Sequence, residues 1–235
     1  MSRLASTLRL DSTLQARYQV YWVVVGAAAA MGAALRAVVT ADQLNFFMPV
    51  AVMYGVSLTT VFLVGVLLLL ERADGTLDVL MVSPLRPHEY LGSKLITLAA
   101  LALVESAVMA AFAYGLGFSF GWLIVAVTMR AAMGVAVGVA IGVRYRSITH
   151  FLLPGIGASF LFDLPNIWYF GLWPTSLFYV WPSMPPLLLA KNAFFPVDTL
   201  QTVYAFVYGA LVVAVALWWA KRSIDRFVVR GEIVS

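Results

Sequence analysis

Long apolar segments alternate with short polar or proline-rich connections along most of this chain. Six of these segments lie at residues 18–40, 46–70, 95–117, 122–143, 151–172 and 201–220. A helix of about 20 apolar residues crosses the hydrocarbon core of a bilayer, so each segment is long enough to span it once. The pattern therefore predicts an all-α integral membrane protein with six transmembrane helices in a single domain, residues 1–235.

The segment before the first span, residues 1–17, mixes leucines with arginines at positions 3, 9 and 17. It is too polar to insert, and its pattern suits an amphipathic helix that lies in the membrane interface. A signal peptide would place an uninterrupted apolar core directly after its first charges, whereas the first long apolar run here starts near Tyr18. We expect an interfacial helix that is retained in the protein.

Residues 165–200 lack the polar composition of an ordinary external loop. Six prolines divide an aromatic-rich sequence into pieces that are too short to span a bilayer. Because Trp and Tyr favour headgroup depth, the pattern predicts re-entrant or interfacial helices before the last span, with an external re-entrant region at 173–200. An aromatic belt is one interpretation and an exit gate for amphiphilic cargo is the other, with candidate gate residues Asp163, Trp168, Trp173 and Tyr179.

Composition and charge agree with a membrane protein and predict its orientation. Hydrophobic residues make up 63% of the chain and charged residues 11%, against about a quarter in soluble domains. Twelve of the fifteen Lys and Arg fall on one side of a six-span arrangement, at positions 3, 9, 17, 72, 86, 94, 144, 146, 221, 222, 226 and 230. This bias predicts cytoplasmic termini and a cytoplasmic 71–94 loop. The charges are scattered along the membrane boundaries, so we expect no nucleic-acid partner.

Three ionisable residues interrupt the apolar segments. Glu105 and Arg130 lie 14 and 11 residues from the turn near residue 119, so their depths differ by roughly 4.5 Å. A charge near mid-membrane is costly, and the pattern predicts that these two side chains form an ion pair. The alternatives are a proton or substrate relay, or that one of the two residues faces a polar cavity or a second membrane subunit. Asp163 precedes Pro165 and is interpreted as the cap of a break in the fifth span, with cargo contact as the other possibility.

Residues 71–94 form the longest charged stretch between two spans. Asp74 and Gly75 predict a turn, Leu77, Leu80 and Met81 recur at helical spacing, and Pro84 ends the run. The pattern predicts a short amphipathic helix at the membrane surface. A plain solvated loop is the simpler alternative.

This stretch resembles the cytoplasmic coupling loop of ABC-2 type export permeases, which docks on an ATPase. The resemblance rests on Glu71, on 75–78, Leu80 and 83–86, and on 89–91 and Lys94. It implies an ATPase-coupling role for a set of residues within the loop and at its ends. These are Glu71, Gly75, Leu77, Leu80, Pro84, Leu85, Glu89 and Lys94.

A second stretch, residues 171–189, narrows the resemblance to permease subunits of the fluoroquinolone-export type. It carries Gly171-Leu172-Trp173-Pro174, Tyr179, Pro182 and Pro186-Leu187-Leu188-Leu189. The resemblance implies a half-transporter that pairs with a second permease, identical or paralogous, and with two copies of an ABC ATPase. It further implies export of hydrophobic, drug-like or lipid-like cargo, and hence multidrug efflux and antibiotic resistance, across a bacterial or archaeal plasma membrane.

The chain has few of the residues and motifs that enzymes commonly use for catalysis. The sequence has no Cys, two His and no phosphate-binding Gly-x-x-x-x-Gly-Lys-Ser/Thr motif. We expect no catalytic residue, metal site or cofactor in this chain, with ATP and Mg bound by the partner ATPase. The alternatives are a haem-, glycan- or lipid-export permease of the same superfamily, a membrane-embedded enzyme, or a membrane scaffold that transports nothing.

Overall fold

Helices dominate the structure, a computed structural model that describes residues 3–75 and 87–226. The α-helices in these residues are α1 (Arg3–Arg17), α2 (Val20–Val38), α3 (Ala41–Ser57), α4 (Leu63–Ala73), α5 (Pro87–Tyr114), α6 (Phe120–Gly142), α7 (Ile148–Phe162), α8 (Pro165–Tyr169), α9 (Met184–Phe194) and α10 (Thr199–Ile224). A π-helical turn, Leu58–Phe62, joins α3 to α4, and a 3-10 segment, Ser176–Val180, precedes α9.

The predicted six spans are confirmed within the described residues. The helical stretches long and apolar enough to cross a membrane there are Val20–Val38, Asp42–Ala73, His88–Tyr114, Phe120–Gly142, Ile148–Tyr169 and Thr199–Ile224. The second stretch is continuous through α3, the π-helical turn and α4, and the fifth combines α7 with α8. The third begins earlier than the sequence pattern indicates, because α5 starts at Pro87. Proline is compatible with the first turn of a helix, where its missing N–H has no helical partner.

The spans bring a group of basic residues to one end of the bundle, called here the basic end. It contains Arg17 at the end of α1, Arg72 on α4 and Arg222 near the end of α10. The connection between α6 and α7 lies there as well, since the Arg72 guanidinium donates to the backbone carbonyls of Val143 and Tyr145. Residues 169–199, between the fifth and sixth spans, lie in the half of the bundle away from the basic end, where Tyr204 and Tyr208 of α10 donate to the Tyr179 and Val180 carbonyls.

The short helix α9 lies inside the bundle. Met184, Pro186, Leu188 and other residues around the helix are buried, and α9 packs against α3, α6 and α10. Its 11 residues give a length of roughly 16 Å, too short to cross a bilayer. Within the region predicted to be re-entrant, this part is therefore a short helix surrounded by protein. Non-spanning backbone at membrane depth is tolerated where protein surrounds it.

Two glycines of α6 allow close contact with the π-helical turn. A Cβ atom added at Gly134 would overlap the Thr60 side chain, and one added at Gly138 would overlap the Val61 carbonyl and the Val64 side chain. The small-residue pair thus packs against a neighbouring helix of the same chain. In membranes, where lipid is as apolar as leucine, close packing of this kind is a main source of helix association.

We expect Gly138→Ala to destabilise the helix bundle by about 1–3 kcal/mol, because the backbone of the π-helical turn must move to admit the methyl group. The matched control is Gly26→Ala on α2, where an added Cβ meets nothing within 4 Å. Thermal unfolding in detergent should show a lower midpoint for Gly138→Ala and an unchanged or higher midpoint for Gly26→Ala. Equal midpoints for the two variants would contradict this packing.

Candidate functional site

Three buried acidic and basic side chains meet at the basic end of the bundle. Lys94 Nζ on α5 lies 2.6 Å from Asp11 Oδ1 on α1 and also forms an ion pair with the Glu71 carboxylate on α4. None of the three residues is more than 3% exposed. We call Asp11, Glu71 and Lys94 the root cluster, because they lie where α4 and α5 flank residues 74–86, the part of the predicted 71–94 loop that is called here the 74–86 loop.

Hydroxyl groups complete the root cluster. The Tyr90 hydroxyl donates to Glu71 Oε2 at 2.8 Å, and the Ser93 hydroxyl donates to the Asp11 carboxylate. One turn further along α1, Gln15 Nε2 donates to Thr97 Oγ1 at 3.0 Å. Two carboxylates thus share one ammonium group and receive additional hydrogen bonds, as buried charges require. The arrangement fastens α1 to both helices that flank the loop.

A further contact joins the connection between α1 and the first span to the end of α4. The Tyr18 hydroxyl donates to Asp74 Oδ2 at 2.6 Å, and this hydrogen bond to a carboxylate raises the pKa of the Tyr18 phenol. Asp74 directly follows α4, and Gly75 has a φ of 69° in the left-handed region, where glycine is favoured. The predicted turn at these two residues is therefore present.

The residues assigned to ATPase coupling fall into three groups in the structure. Glu71 and Lys94 are buried in the root cluster. Any part that they take in coupling is therefore indirect, through the position of the two helices that flank the loop. Gly75 and Glu89 are partly exposed at the two ends of the loop. Leu77, Leu80, Pro84 and Leu85 lie outside the described residues, and their docking role stays a prediction.

Arg130 pairs with Asp163 in the middle of the bundle. The Arg130 guanidinium forms an ion pair with the Asp163 carboxylate, lies 4.2 Å from the Phe162 ring centroid, and donates to the Phe162 carbonyl at 3.4 Å. Asp163 follows the last residue of α7, and α8 begins at Pro165. The predicted break in the fifth span is therefore present, and its aspartate neutralises the buried arginine.

The predicted pair of Glu105 with Arg130 is wrong. Glu105 is buried against the π-helical turn, where the Thr59 hydroxyl donates to Oε2 at 2.5 Å. A Cβ atom at Gly55 would lie 2.6 Å from Glu105 Oε1, so this glycine makes room for the carboxyl group. The two residues match in depth, but Glu105 points towards the second span and Arg130 towards the fifth.

Away from the basic end, aromatic contacts and hydrogen bonds join α8 and α10 to the 3-10 segment. Trp168 and Tyr179 are in edge contact, with ring centroids 5.4 Å apart, while Trp173 is exposed and contacts Phe178. The Tyr204 hydroxyl of α10 donates to the Tyr179 carbonyl. The structure therefore brings two of the three aromatic gate candidates together, and places Trp173 and Asp163 elsewhere.

Comparison with known proteins identifies the family. The sequence model of the fluoroquinolones export permease protein family matches residues 2–232. The chain belongs to this family. It is 31% identical, over 98% of both chains, to the fluoroquinolones export permease proteins of Mycobacterium tuberculosis strains CDC 1551 and H37Rv. No solved structure matches the chain significantly. The predicted membership of the fluoroquinolone-export type of permease is thus confirmed, while the coupling role of residues 71–94 stays a prediction.

Several site residues of this permease were not predicted from its sequence. Asp11 is the acidic residue within the 1–17 segment, and Thr7, Asp11 and Gln15 recur every fourth residue along α1. That spacing places them on one helical face, and all three are buried. A search for polar as well as apolar periodicity would have indicated a face that packs against protein. Thr59 had no comparable signal, because its contact with Glu105 depends on the local π-helical geometry.

Proposed function

We propose that this permease is the membrane subunit of an ATP-driven exporter, moving hydrophobic or amphiphilic, drug-like cargo outward. Membership of the fluoroquinolones export permease protein family supports export as the function. The names of the curated relatives support a fluoroquinolone-like cargo. The observation that carries coupling to a soluble motor is the root cluster, which fastens α1 to both helices flanking the 74–86 loop.

The basic end faces the cytoplasm of a bacterial cell in this proposal, and both termini are cytoplasmic. Arg17, Arg72, Arg144 and Arg222 all lie at that end. Basic residues in short connections are retained on the cytoplasmic side of a plasma membrane. The aromatic residues around Trp168 and Tyr179 are then external.

Energy comes from a separate ATPase in this proposal. Two ATPase copies bind ATP and Mg and dock on the 74–86 loop of this permease and of a second, identical or paralogous permease. Movement of a docked ATPase would tilt α4 and α5 at the loop, and the root cluster would pass that displacement to α1. The chain itself then needs no catalytic residue and no cofactor.

We expect the purified permease alone to show no ATP turnover, and an ATPase with a phosphate-binding loop to co-purify with it in mild detergent. Leu77→Asp combined with Leu80→Asp should reduce co-purification by about tenfold, a loss of about 1.4 kcal/mol of binding free energy, while membrane insertion is unchanged. Co-purified ATPase is measured by mass spectrometry, and fluoroquinolone export by uptake into inside-out vesicles with and without ATP.

Leu200→Asp is the matched control, because Leu200 is an exposed leucine at the opposite end of the bundle. It should leave ATPase co-purification unchanged. ATP hydrolysis by the clean isolated permease would rule out a separate motor. Undiminished co-purification of the Leu77/Leu80 variant would show that the ATPase docks elsewhere.

A further inference from the structure

An apolar groove with a volume of about 870 Å³ lies between α6, α7 and α10. Apolar and aromatic residues line it throughout, among them Val137 and Ile141 on α6, Leu161 on α7, and Val215 on α10. The volume is within the range of about 300–1,000 Å³ that is usual for small-molecule sites. Val215 and Trp218 are 57% and 59% exposed, so the groove opens sideways, towards the surrounding lipid.

The 3-10 segment closes the groove at the end far from the basic residues. The Tyr208 hydroxyl of α10 donates to the Val180 carbonyl at 2.5 Å, and Trp181 Nε1 donates to the Leu161 carbonyl of α7 at 3.0 Å. From Tyr208 to Trp219, α10 rises roughly 16 Å, about half the thickness of the bilayer hydrocarbon. The groove therefore matches one leaflet in depth.

Two arginines lie at the open, basic end of the groove. The Arg144 guanidinium is 5.5 Å from the Trp219 ring centroid, and the Arg222 guanidinium is 5.5 Å from that of Trp218. Arg72 holds the α6–α7 connection that carries Arg144 by donating to the carbonyls on either side of it, Val143 and Tyr145. A guanidinium carries five N–H donors, so an arginine that contacts an aromatic face can also donate to phosphate oxygens.

We propose that this groove binds an anionic phospholipid, with an acyl chain along α6 and α10 and the phosphate at Arg144 and Arg222. The proposal rests on the proposed orientation, which puts the arginines at the cytoplasmic headgroup layer, where anionic lipids attract basic residues. An apolar groove of one-leaflet depth fits an acyl chain, and the arginines at its end fit a phosphate group. A phospholipid has both parts, so we choose it as the occupant. A second copy related by a two-fold axis along the membrane normal would bring the basic rims of both copies together, which like charges disfavour.

Native mass spectrometry of the purified full-length permease, with co-purifying subunits, tests the lipid preference. Phosphatidylglycerol and phosphatidylcholine with identical acyl chains are supplied in equal amounts. We expect about tenfold more phosphatidylglycerol bound, falling to near parity in Arg144→Gln/Arg222→Gln and at 1 M salt, where the Debye length is about 3 Å. The charge-matched control is Arg146→Gln/Lys221→Gln, two exposed basic residues at the same end, which should keep the preference. Equal binding of the two lipids by the wild type would overturn the proposal.

A second measurement leaves the arginines intact. Because the chain has no cysteine, Val215→Cys can be labelled with a single fluorophore inside the groove, and Val23→Cys on exposed α2 serves as the control position. Brominated phosphatidylglycerol should quench the groove label at concentrations about tenfold lower than brominated phosphatidylcholine, and the α2 label equally with both. The proposal would be overturned if the two brominated lipids quenched the groove label equally. It would also be overturned by disulfide formation between two Val215→Cys copies, or by displacement of both lipids by a fluoroquinolone. No step requires ATP or transport, so a negative result leaves the proposed export function intact.

Discussion

Arg130→Met should remove most of the folded permease, and Asp163→Asn should do the same. Each single change leaves one buried charge without its partner, which typically costs about 3–5 kcal/mol. Arg130 and Asp163 form an ion pair whose side chains are 2% and 8% exposed. The double variant removes both charges and should recover much of the loss. The measured quantity is the folded, monodisperse fraction of a fluorescent fusion after size-exclusion chromatography.

Glu105 supplies the control for this pair. Its hydrogen bond comes from the neutral Thr59 hydroxyl, and glutamine retains a carbonyl acceptor at the same place. We expect Glu105→Gln to cost only about 1 kcal/mol, the typical value of a neutral hydrogen bond, and not to restore the fold of Arg130→Met. If Arg130→Met/Asp163→Asn folded no better than the worse single variant, the ion pair would not be the source of the effect. Rescue of Arg130→Met by Glu105→Gln would instead support a pairing of those two residues.

The hydropathy pattern predicted the spans because the bilayer constrains segment length so strongly. The pairing of charges failed for a different reason. Counting residues from a turn gives the depth of a side chain, and Glu105 and Arg130 do agree in depth. It does not give the direction in which the side chain points around the helix axis. That direction depends on which neighbours pack against α5 and α6, and here Asp163 reaches Arg130 from a third helix.

Two helices show a second limit of sequence analysis. The leucines of α1 predicted contact with the membrane interface, yet its buried face is the polar one, with Thr7, Asp11 and Gln15. For α9, apolar residues and prolines predicted an element outside the spans, but did not indicate that the bundle surrounds it. In a membrane protein, lipid and protein neighbours favour the same apolar side chains, so composition alone does not separate a lipid-facing helix from a buried one.

The root cluster combines a structural role with the proposed coupling role, and the two roles have different consequences. Lys94→Met should lower the folded yield sharply, since Asp11 and Glu71 would then face each other as two buried carboxylates without a cation. Breaking a buried ion pair in this way costs about 3–5 kcal/mol. A triple variant, Asp11→Asn, Glu71→Gln and Lys94→Met, has no buried charge at this site and should recover much of the folded yield.

The recovered triple variant separates folding from coupling. Neutral hydrogen bonds are roughly half as strong as charge-assisted ones, so α1 should be held less firmly to the helices flanking the loop. We expect ATP hydrolysis by the assembled complex to continue while the amount of drug exported per ATP falls about tenfold. A tenfold change corresponds to about 1.4 kcal/mol of coupling free energy. Arg17→Gln, an exposed charge removed from the same helix, is the control and should export normally. Both rates are measured in the same proteoliposomes. A triple variant that folds and exports per ATP like the wild type would restrict the root cluster to holding the fold together.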